Sequence, residues 1–204
     1  MFIEPHLPIP RPSVILAMLG GIIGTLLLSA LMYVSPLLGF PFVDYPHLIG
    51  GIFTANPDTA LWLGYWIFFI FGAVVWPLLL AFLWPYFPGR PTGFIGPLIK
   101  GVIWAAILWV ISGLVAWVFG TLNQLSGQGF QNPGFFMLNA GILAVVGNLV
   151  GHILYVLGML LITMMGQGIE PIDTLGWPTY HKAESPELVR GLPQDLYNQK
   201  TTGH

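Results

Sequence analysis

The sequence predicts an all-α, polytopic membrane protein with four transmembrane helices. The whole chain is 7% charged and 55% hydrophobic, with a mean hydropathy of +0.79, whereas soluble domains are roughly 25% charged. Charged side chains are scarce between residues 12 and 169, where there are only Asp44, Asp58, Arg90 and Lys100. All four lie outside or near the ends of four long apolar stretches. We therefore expect the body of the protein to lie in a bilayer.

The four apolar stretches are residues 13–34, 60–83, 95–119 and 138–165. Each is long enough to cross a hydrocarbon core of about 30 Å, which needs roughly 20 helical residues. Strands of a membrane barrel would be about ten residues long with alternating polarity, and these stretches are continuous and much longer. We name the predicted helices spans one to four.

The basic residues predict the orientation of the spans. All of them fall on one side of the predicted topology: Arg11, Arg90, Lys100, Lys182, Arg190 and Lys200. The two loops on the other side, residues 35–59 and 120–137, contain none. By the positive-inside rule, both termini are expected in the cytoplasm, and the protein is expected in the inner (plasma) membrane as a multi-pass protein.

Two flanks surround the membrane domain of residues 13–166. A Pro-rich arm, residues 1–12, precedes it, and a tail, residues 167–204, contains most of the remaining charge. Four prolines and few apolar residues leave the tail too little apolar surface to offset an ordering cost of about 1–2 kcal/mol per residue. The tail is therefore predicted to be an extended cytoplasmic segment.

The first outer loop is apolar and is expected to lie in the membrane interface. Asp44 is a suitable N-cap, and Pro46 suits the first turn of a helix. A short interfacial helix is therefore predicted from about Tyr45 to Phe53. The second outer loop, which is polar but uncharged, is expected to be irregular and either exposed or docked on its neighbours.

Small residues indicate where the helices approach one another. In lipid, burial of apolar side chains does not drive helices together, so close packing at small residues contributes more. Gly20 and Gly24 form a G-x-x-x-G pair on span one, and Gly147 and Gly151 form another on span four. These glycine faces are predicted to pack against each other or against a partner subunit.

Span two instead has an aromatic stripe. At about 100° per residue, one face holds Trp62, Trp66, Phe69, Trp76 and Trp84. Lipid exposure with interfacial anchoring explains the two ends of this stripe, but not Phe69 and Trp76, which lie inside the core. The alternative is contact with a partner protein, a pigment or a quinone ring.

His152 is the best candidate for a functional site, because it is the one group with a pKa near neutrality deep in a span. Asn148 and Tyr155 lie on the same side of span four. A neutral histidine can serve as a structural hydrogen-bonding residue between helices. It can also ligate a haem or a chlorophyll, or bind a quinone. The three residues are therefore candidate cofactor-binding residues, with haem, chlorophyll, quinone or a bound lipid as candidate ligands.

Several functions are not favoured by the composition. A net charge of −2 provides no basic patch for nucleic acid, and the absence of cysteine excludes disulfides and thiolate metal sites. Asp44 and His47 alone are too few for a metal site. The spans lack the carboxylates of an ion-coupled pump and a nucleophile with an adjacent base. We therefore expect no catalytic residues, no metal and no enzyme activity.

The chain resembles a prokaryotic family of small four-helix membrane proteins of unknown function. The resemblance is in L-G-G-I-I-G-T-L of span one, D-Y-P-H-L-I-G-G-I-F of the first outer loop and G-N-L-V-G-H-I-L-Y-V-L-G of span four. It covers most of residues 15–166, and the matching positions would be Gly147, Gly151, His152 and Tyr155. The resemblance implies the four-helix fold and no particular activity. The Pro-rich arm and the charged tail depart from it.

These observations favour a non-catalytic accessory subunit of a multi-subunit energy-transducing membrane complex. A respiratory oxidase, a quinol-oxidising complex or a photosynthetic reaction centre would be such a complex, with other membrane subunits and lipid as the partners. One alternative is a small transporter or channel for an uncharged solute. Another is a haem- or chlorophyll-binding protein that uses His152.

Overall fold

Long helices dominate the described part of the protein, which comprises residues 12–88 and 95–165 of the computed structural model. Span one is α1 (Val14–Leu37), and the short α2 (Tyr45–Gly50) follows it. Span two is composite, with α3 (Pro57–Ile70), a π-helix (Phe71–Val75), α4 (Trp76–Leu83) and a 3-10 turn (Trp84–Tyr86). Spans three and four are α5 (Ile95–Leu122) and α6 (Ile142–Met165). All four spans are long and apolar enough to cross a membrane, which confirms the predicted fold class.

The described residues do not test two parts of the prediction, namely the two flanks and the orientation in the membrane. The charged tail and all of the Pro-rich arm except Pro12 lie outside the described residues. The side of the membrane on which the termini lie stays a prediction. For this reason the two ends of the bundle are named here by what they contain: the α2 end and the Lys100 end.

The short helix after span one begins as predicted. The Asp44 side chain accepts a hydrogen bond from the backbone N–H of His47 at 3.1 Å, and Pro46 lies in the first turn. The helix ends at Gly50, three residues earlier than predicted. The second loop is docked on this region: Asn123 donates to the carbonyl of His47 at 2.9 Å, and Gln124 donates to that of Ile52 at 2.8 Å.

Span two is distorted before its internal proline. Pro77 has no N–H to donate to the carbonyl of Ala73, and its ring crowds the preceding turn. The chain accommodates this with the π-helix, in which i→i+5 hydrogen bonding replaces the i→i+4 pattern. The residues beyond it are therefore rotated relative to α3.

The predicted single aromatic face is wrong beyond the π-helix. Trp62 and Trp66 are 68% and 64% exposed, and Phe69 is also exposed. By contrast, Trp76 is half-buried, and Trp84 is 1% exposed and lies in the core. A constant 100° per residue places all five on one face, but the π-helix shifts the register so that the last two turn inward.

Spans one and four pack closely through small residues. A Cβ atom at Gly20 would overlap the backbone of Met159, and one at Gly24 would overlap the backbone of Tyr155. Glycine therefore lets the two helix backbones approach within contact distance. Gly147 differs, since a Cβ there would lie at an ordinary 3.5 Å from the Phe42 ring.

Span four begins later than predicted, at Ile142 rather than Leu138. The chain before it forms a 3-10 segment (Phe135–Ala140) in which Phe136 and Met137 have φ of 50° and 63°. Gly141, with φ of 94°, completes the turn into α6. Apolar composition alone does not predict this turn, because apolar residues, including Met and Leu, are common in both the turn and the helix.

Candidate functional site

A cavity of about 500 Å³ lies between span two and α5. Leu28 of α1 and Tyr155 of α6 contribute to its lining behind these helices, and Leu48 of α2 contributes at one end. Most of the other lining side chains are apolar. The volume is in the range of about 300–1,000 Å³ that is usual for small-molecule sites.

The packing of the helices explains why there is a cavity here. Span two packs on α1 and α2, whereas α5 packs on α6 and makes a smaller contact with α2. Span two and α5 therefore face each other across the cavity without packing along their middle parts. Among the lining residues, Phe53, Phe71 and Leu122 are exposed, so the cavity meets the surface of the bundle there. Phe71 is near the middle of span two, which places this opening at membrane depth.

Lys100 of α5, which is not part of the cavity lining, joins α5 to the end of span two. Its Nζ donates hydrogen bonds to the carbonyl oxygens of Trp84 at 2.8 Å and Phe87 at 2.7 Å, and the residue is 0% exposed. The ammonium group also lies 5.2 Å from the centre of the Trp84 ring. These carbonyls are at the C-terminal end of span two, where the helix dipole is negative and favours a cation.

A chain of hydrogen bonds links three elements beside the cavity. The hydroxyl of Tyr45, in α2, donates to Oδ1 of Asn148 in α6. Nδ2 of Asn148 donates to the hydroxyl of Ser112 in α5 at 3.2 Å, and that hydroxyl donates to the carbonyl of Trp109 at 3.0 Å. Burial raises the pKa of Tyr45, and the neighbouring Ser112 hydroxyl offsets a part of this effect. Tyr45 is therefore neutral at physiological pH.

His152 lines the cavity one turn along α6 from Asn148. Its Nδ1 lies 2.8 Å from the carbonyl oxygen of Asn148. A carbonyl cannot donate, so Nδ1 carries the proton, and in the neutral ring Nε2 has the free lone pair. The ring is 8% exposed, and a charged imidazolium would be costly at this depth.

Tyr155 also lines the cavity and connects α6 to span two. Its hydroxyl donates to the carbonyl oxygen of Gly72 at 2.6 Å, in the π-helix. Beside it, the hydroxyl of Thr25 in α1 packs against Gly72 so closely that a Cβ there would overlap it. The distortion before Pro77 is thus enclosed by polar groups from two other spans, which limits the number of unpaired carbonyls in the membrane.

The structure brings two of the three predicted site residues to the cavity, namely His152 and Tyr155. Asn148 lies behind them, where it orients Tyr45 and Ser112. Tyr45 and Ser112 were not predicted from the sequence as site residues. A usable signal existed for Ser112, because a lone polar residue in an apolar span often pairs with another one across a helix interface.

Asp44 and His47 form a surface pair, with His47 Nδ1 2.5 Å from Asp44 Oδ2. Residues 12–88 and 95–165 contain no group of three or more His, Cys, Asp or Glu that could hold a metal ion. Within these residues, the cavity is therefore the feature that supports a binding function.

No curated protein and no solved structure matches the chain. A family model does match residues 12–171, which include all four spans and every residue that lines the cavity. The matched region ends at residue 171, whereas the predicted membrane domain ends at residue 166. The chain belongs to this family, DUF6789, a family of unknown function.

Proposed function

We propose that the protein binds, without chemically transforming it, a small and largely apolar molecule that reaches it through the bilayer. The observation that supports this proposal is the cavity of about 500 Å³ between span two and α5, with the exposed Phe71 of its lining at membrane depth. An apolar lining with a few fixed polar groups is typical of sites for small molecules. A charged solute would find no partner of opposite charge in this lining.

One of the openings of the cavity favours delivery from lipid. At the α2 end, where Phe53 and Leu122 are exposed, Asn123 donates to the carbonyl of Leu48 in α2, and Gln124 donates to that of Ile52 just beyond α2. Exposed Phe71, by contrast, borders the cavity near the middle of span two. A lipid-soluble molecule can therefore enter sideways without crossing a polar surface.

The test compares two substitutions on α5. Val115 lines the cavity, whereas Val118 is 41% exposed and is not part of the lining. Val115→Phe should fill part of the cavity, and Val118→Phe should add the same volume on the surface. The protein is purified in a mild detergent, and the organic extract is analysed by mass spectrometry for molecules retained in stoichiometric amounts.

We expect wild type and Val118→Phe to retain the same molecule and Val115→Phe to lose most of it. Equal retention by all three proteins, or no retained molecule in any of them, would contradict the proposal. A visible absorption spectrum typical of a tetrapyrrole in the retained fraction would identify the ligand as a haem or chlorophyll, with His152 as its expected axial ligand.

A second candidate is the accessory subunit of an energy-transducing membrane complex. The observation that favours it is the exposure of Trp62 and Trp66, which form one aromatic face on α3 with Phe69. Photo-crosslinking from position 62 in native membranes tests it, with the exposed Val102 of α5 as the control position. Crosslinks to another membrane subunit from position 62 would support this role, and crosslinks to lipid alone would contradict it.

A further inference from the structure

The hydroxyl and imidazole groups that line the cavity share one property: each already donates a hydrogen bond to the protein. The hydroxyl of Thr25 donates to the carbonyl of Gly21 at 2.7 Å, and that of Ser112 donates to the carbonyl of Trp109 at 3.0 Å. For each of these groups, only oxygen lone pairs are left for a ligand.

The same is true of the aromatic polar residues. Tyr155 donates to the carbonyl of Gly72 at 2.6 Å, and Tyr45 donates to Oδ1 of Asn148. His152 donates through Nδ1 to its own helix at 2.8 Å. Its Nε2 has no hydrogen-bond partner among residues 12–88 and 95–165, so its lone pair is available.

One lining side chain differs from this pattern. The indole N–H of Trp76 has no hydrogen-bond acceptor within the described ranges, so Trp76 is the one donor in the lining. Trp76 lies four residues beyond Gly72 in span two, toward the Lys100 end, whereas Ser112 and His152 are linked through Asn148. Around His152, the cavity offers acceptors alone.

We propose that the cavity selects a lipid-soluble alcohol or phenol, whose O–H group donates a hydrogen bond to Nε2 of His152. This inference rests on the proposed function and adds the chemical class of the ligand. A ketone, ester or ether oxygen beside His152 would face lone pairs and would lose its hydrogen bonds on leaving water. An amine would protonate in water, and its charge would be costly at this depth. A hydroxyl is the neutral group that meets the lone pair of His152.

The test uses two probes that differ in one proton, 1-pyrenebutanol and its methyl ether. Both are added to the full chain in lipid nanodiscs, and binding is followed by energy transfer from tryptophan to pyrene. Nanodiscs without protein correct for partitioning into lipid. We expect the alcohol to bind about tenfold more tightly than the ether to the wild-type protein, the equivalent of one good hydrogen bond.

His152→Leu should weaken binding of the alcohol to the level of the ether and leave ether binding unchanged. This variant is expected to fold, because the imidazole bonds only to its own helix, and a thermal melt checks this. Trp76→Phe should keep the alcohol preference, with the remaining seven of the eight tryptophans as energy donors. Loss of the preference in Trp76→Phe, or its retention in His152→Leu, would show that the preference does not depend on Nε2 of His152, which overturns the inference.

The result separates the two proposals. Equal binding of the alcohol and the ether to wild type, with both weakened by Val115→Phe, would overturn the choice of an alcohol and leave the cavity as a binding site. Absence of saturable binding for both probes, together with a mass-spectrometric extract that contains no retained molecule, would overturn the proposed function itself.

Discussion

Nζ of Lys100 lies 2.8 Å from the carbonyl oxygen of Trp84, and this contact joins span three to the end of span two. A lysine within a membrane span is costly unless it is satisfied by hydrogen bonds or reaches the interface. Here the carbonyl oxygens of Trp84 and Phe87, at the end of span two, accept hydrogen bonds from the ammonium group. In the sequence, Lys100 marks the basic side of span three; in the structure, it is a clamp between span three and the end of span two.

Replacing this clamp should weaken the contact between span three and the end of span two. Lys100→Met removes both hydrogen bonds and leaves the carbonyls of Trp84 and Phe87 without their donor. We expect a loss of about 2 kcal/mol in the free energy of unfolding, measured by denaturation in detergent. Val102→Met, on the exposed face of the same helix, is the control and should have little effect. An unchanged stability of Lys100→Met would show that the clamp is replaced by water.

The glycines of spans one and four should respond unequally to alanine. Gly20→Ala places a Cβ against the backbone of Met159 and should separate α1 from α6, at a cost of about 1–3 kcal/mol. Gly147→Ala adds the same atom where the nearest contact, the Phe42 ring, is 3.5 Å away. Thermal unfolding in detergent should therefore show a lower Tm for the first variant and a nearly unchanged Tm for the second. Equal effects would mean that helix propensity, and not contact, decides.

Tyr45 should make stability depend on pH in the alkaline range. Burial raises its pKa above the ordinary value near 10, so the folded protein holds this proton more tightly than the unfolded chain. Its contribution is fully present below pH 10 and is lost as the pH rises above that value. Stability of the wild type relative to Tyr45→Phe, measured from pH 8 to 11, should fall above pH 10.

The same variant tests the hydrogen bond to α6. Tyr45→Phe leaves Oδ1 of the buried Asn148 without its donor, which should cost about 1–3 kcal/mol at neutral pH. Asn148→Leu combined with Tyr45→Phe removes both partners and should cost less than the sum of the two single changes. Additive effects would contradict a direct interaction between the two side chains.

The four spans and α2 were predictable because each depends on residues that are close together in the sequence. Hydrocarbon requires every backbone group to be satisfied within a helix, so long uncharged runs identify the spans, and Asp44 and Pro46 identify α2 by their capping chemistry. The candidate site was less predictable. Asn148, His152 and Tyr155 could be found on one helix face, but Ser112, the partner of Asn148, and Gly72, the partner of Tyr155, come from other spans. Nothing in one sequence states which helices are neighbours.

The aromatic stripe shows the same limit within one helix. Its five residues share a face only if span two keeps a constant helical pitch, and the π-helix at Phe71–Val75 breaks that condition. Pro77 interrupts the regular hydrogen bonding of the helix, but the sequence does not say whether the chain bends or forms a π-helix. In the structure, Thr25 and Tyr155 of two other spans contact Gly72 in the π-helix.

The register shift in span two gives Trp62 and Trp84 different environments, although the sequence places both on one aromatic face. Trp84 is 1% exposed and packs in the core with Leu80 and Trp104, whereas Trp62 is 68% exposed. Trp84→Ala should therefore open a cavity and cost about 3 kcal/mol or more, and Trp62→Ala should cost little in the isolated protein. Chemical denaturation in the same detergent compares them. If the aromatic stripe were one continuous surface, both substitutions would have the same small effect, so a large difference between them is the signature of the π-helix.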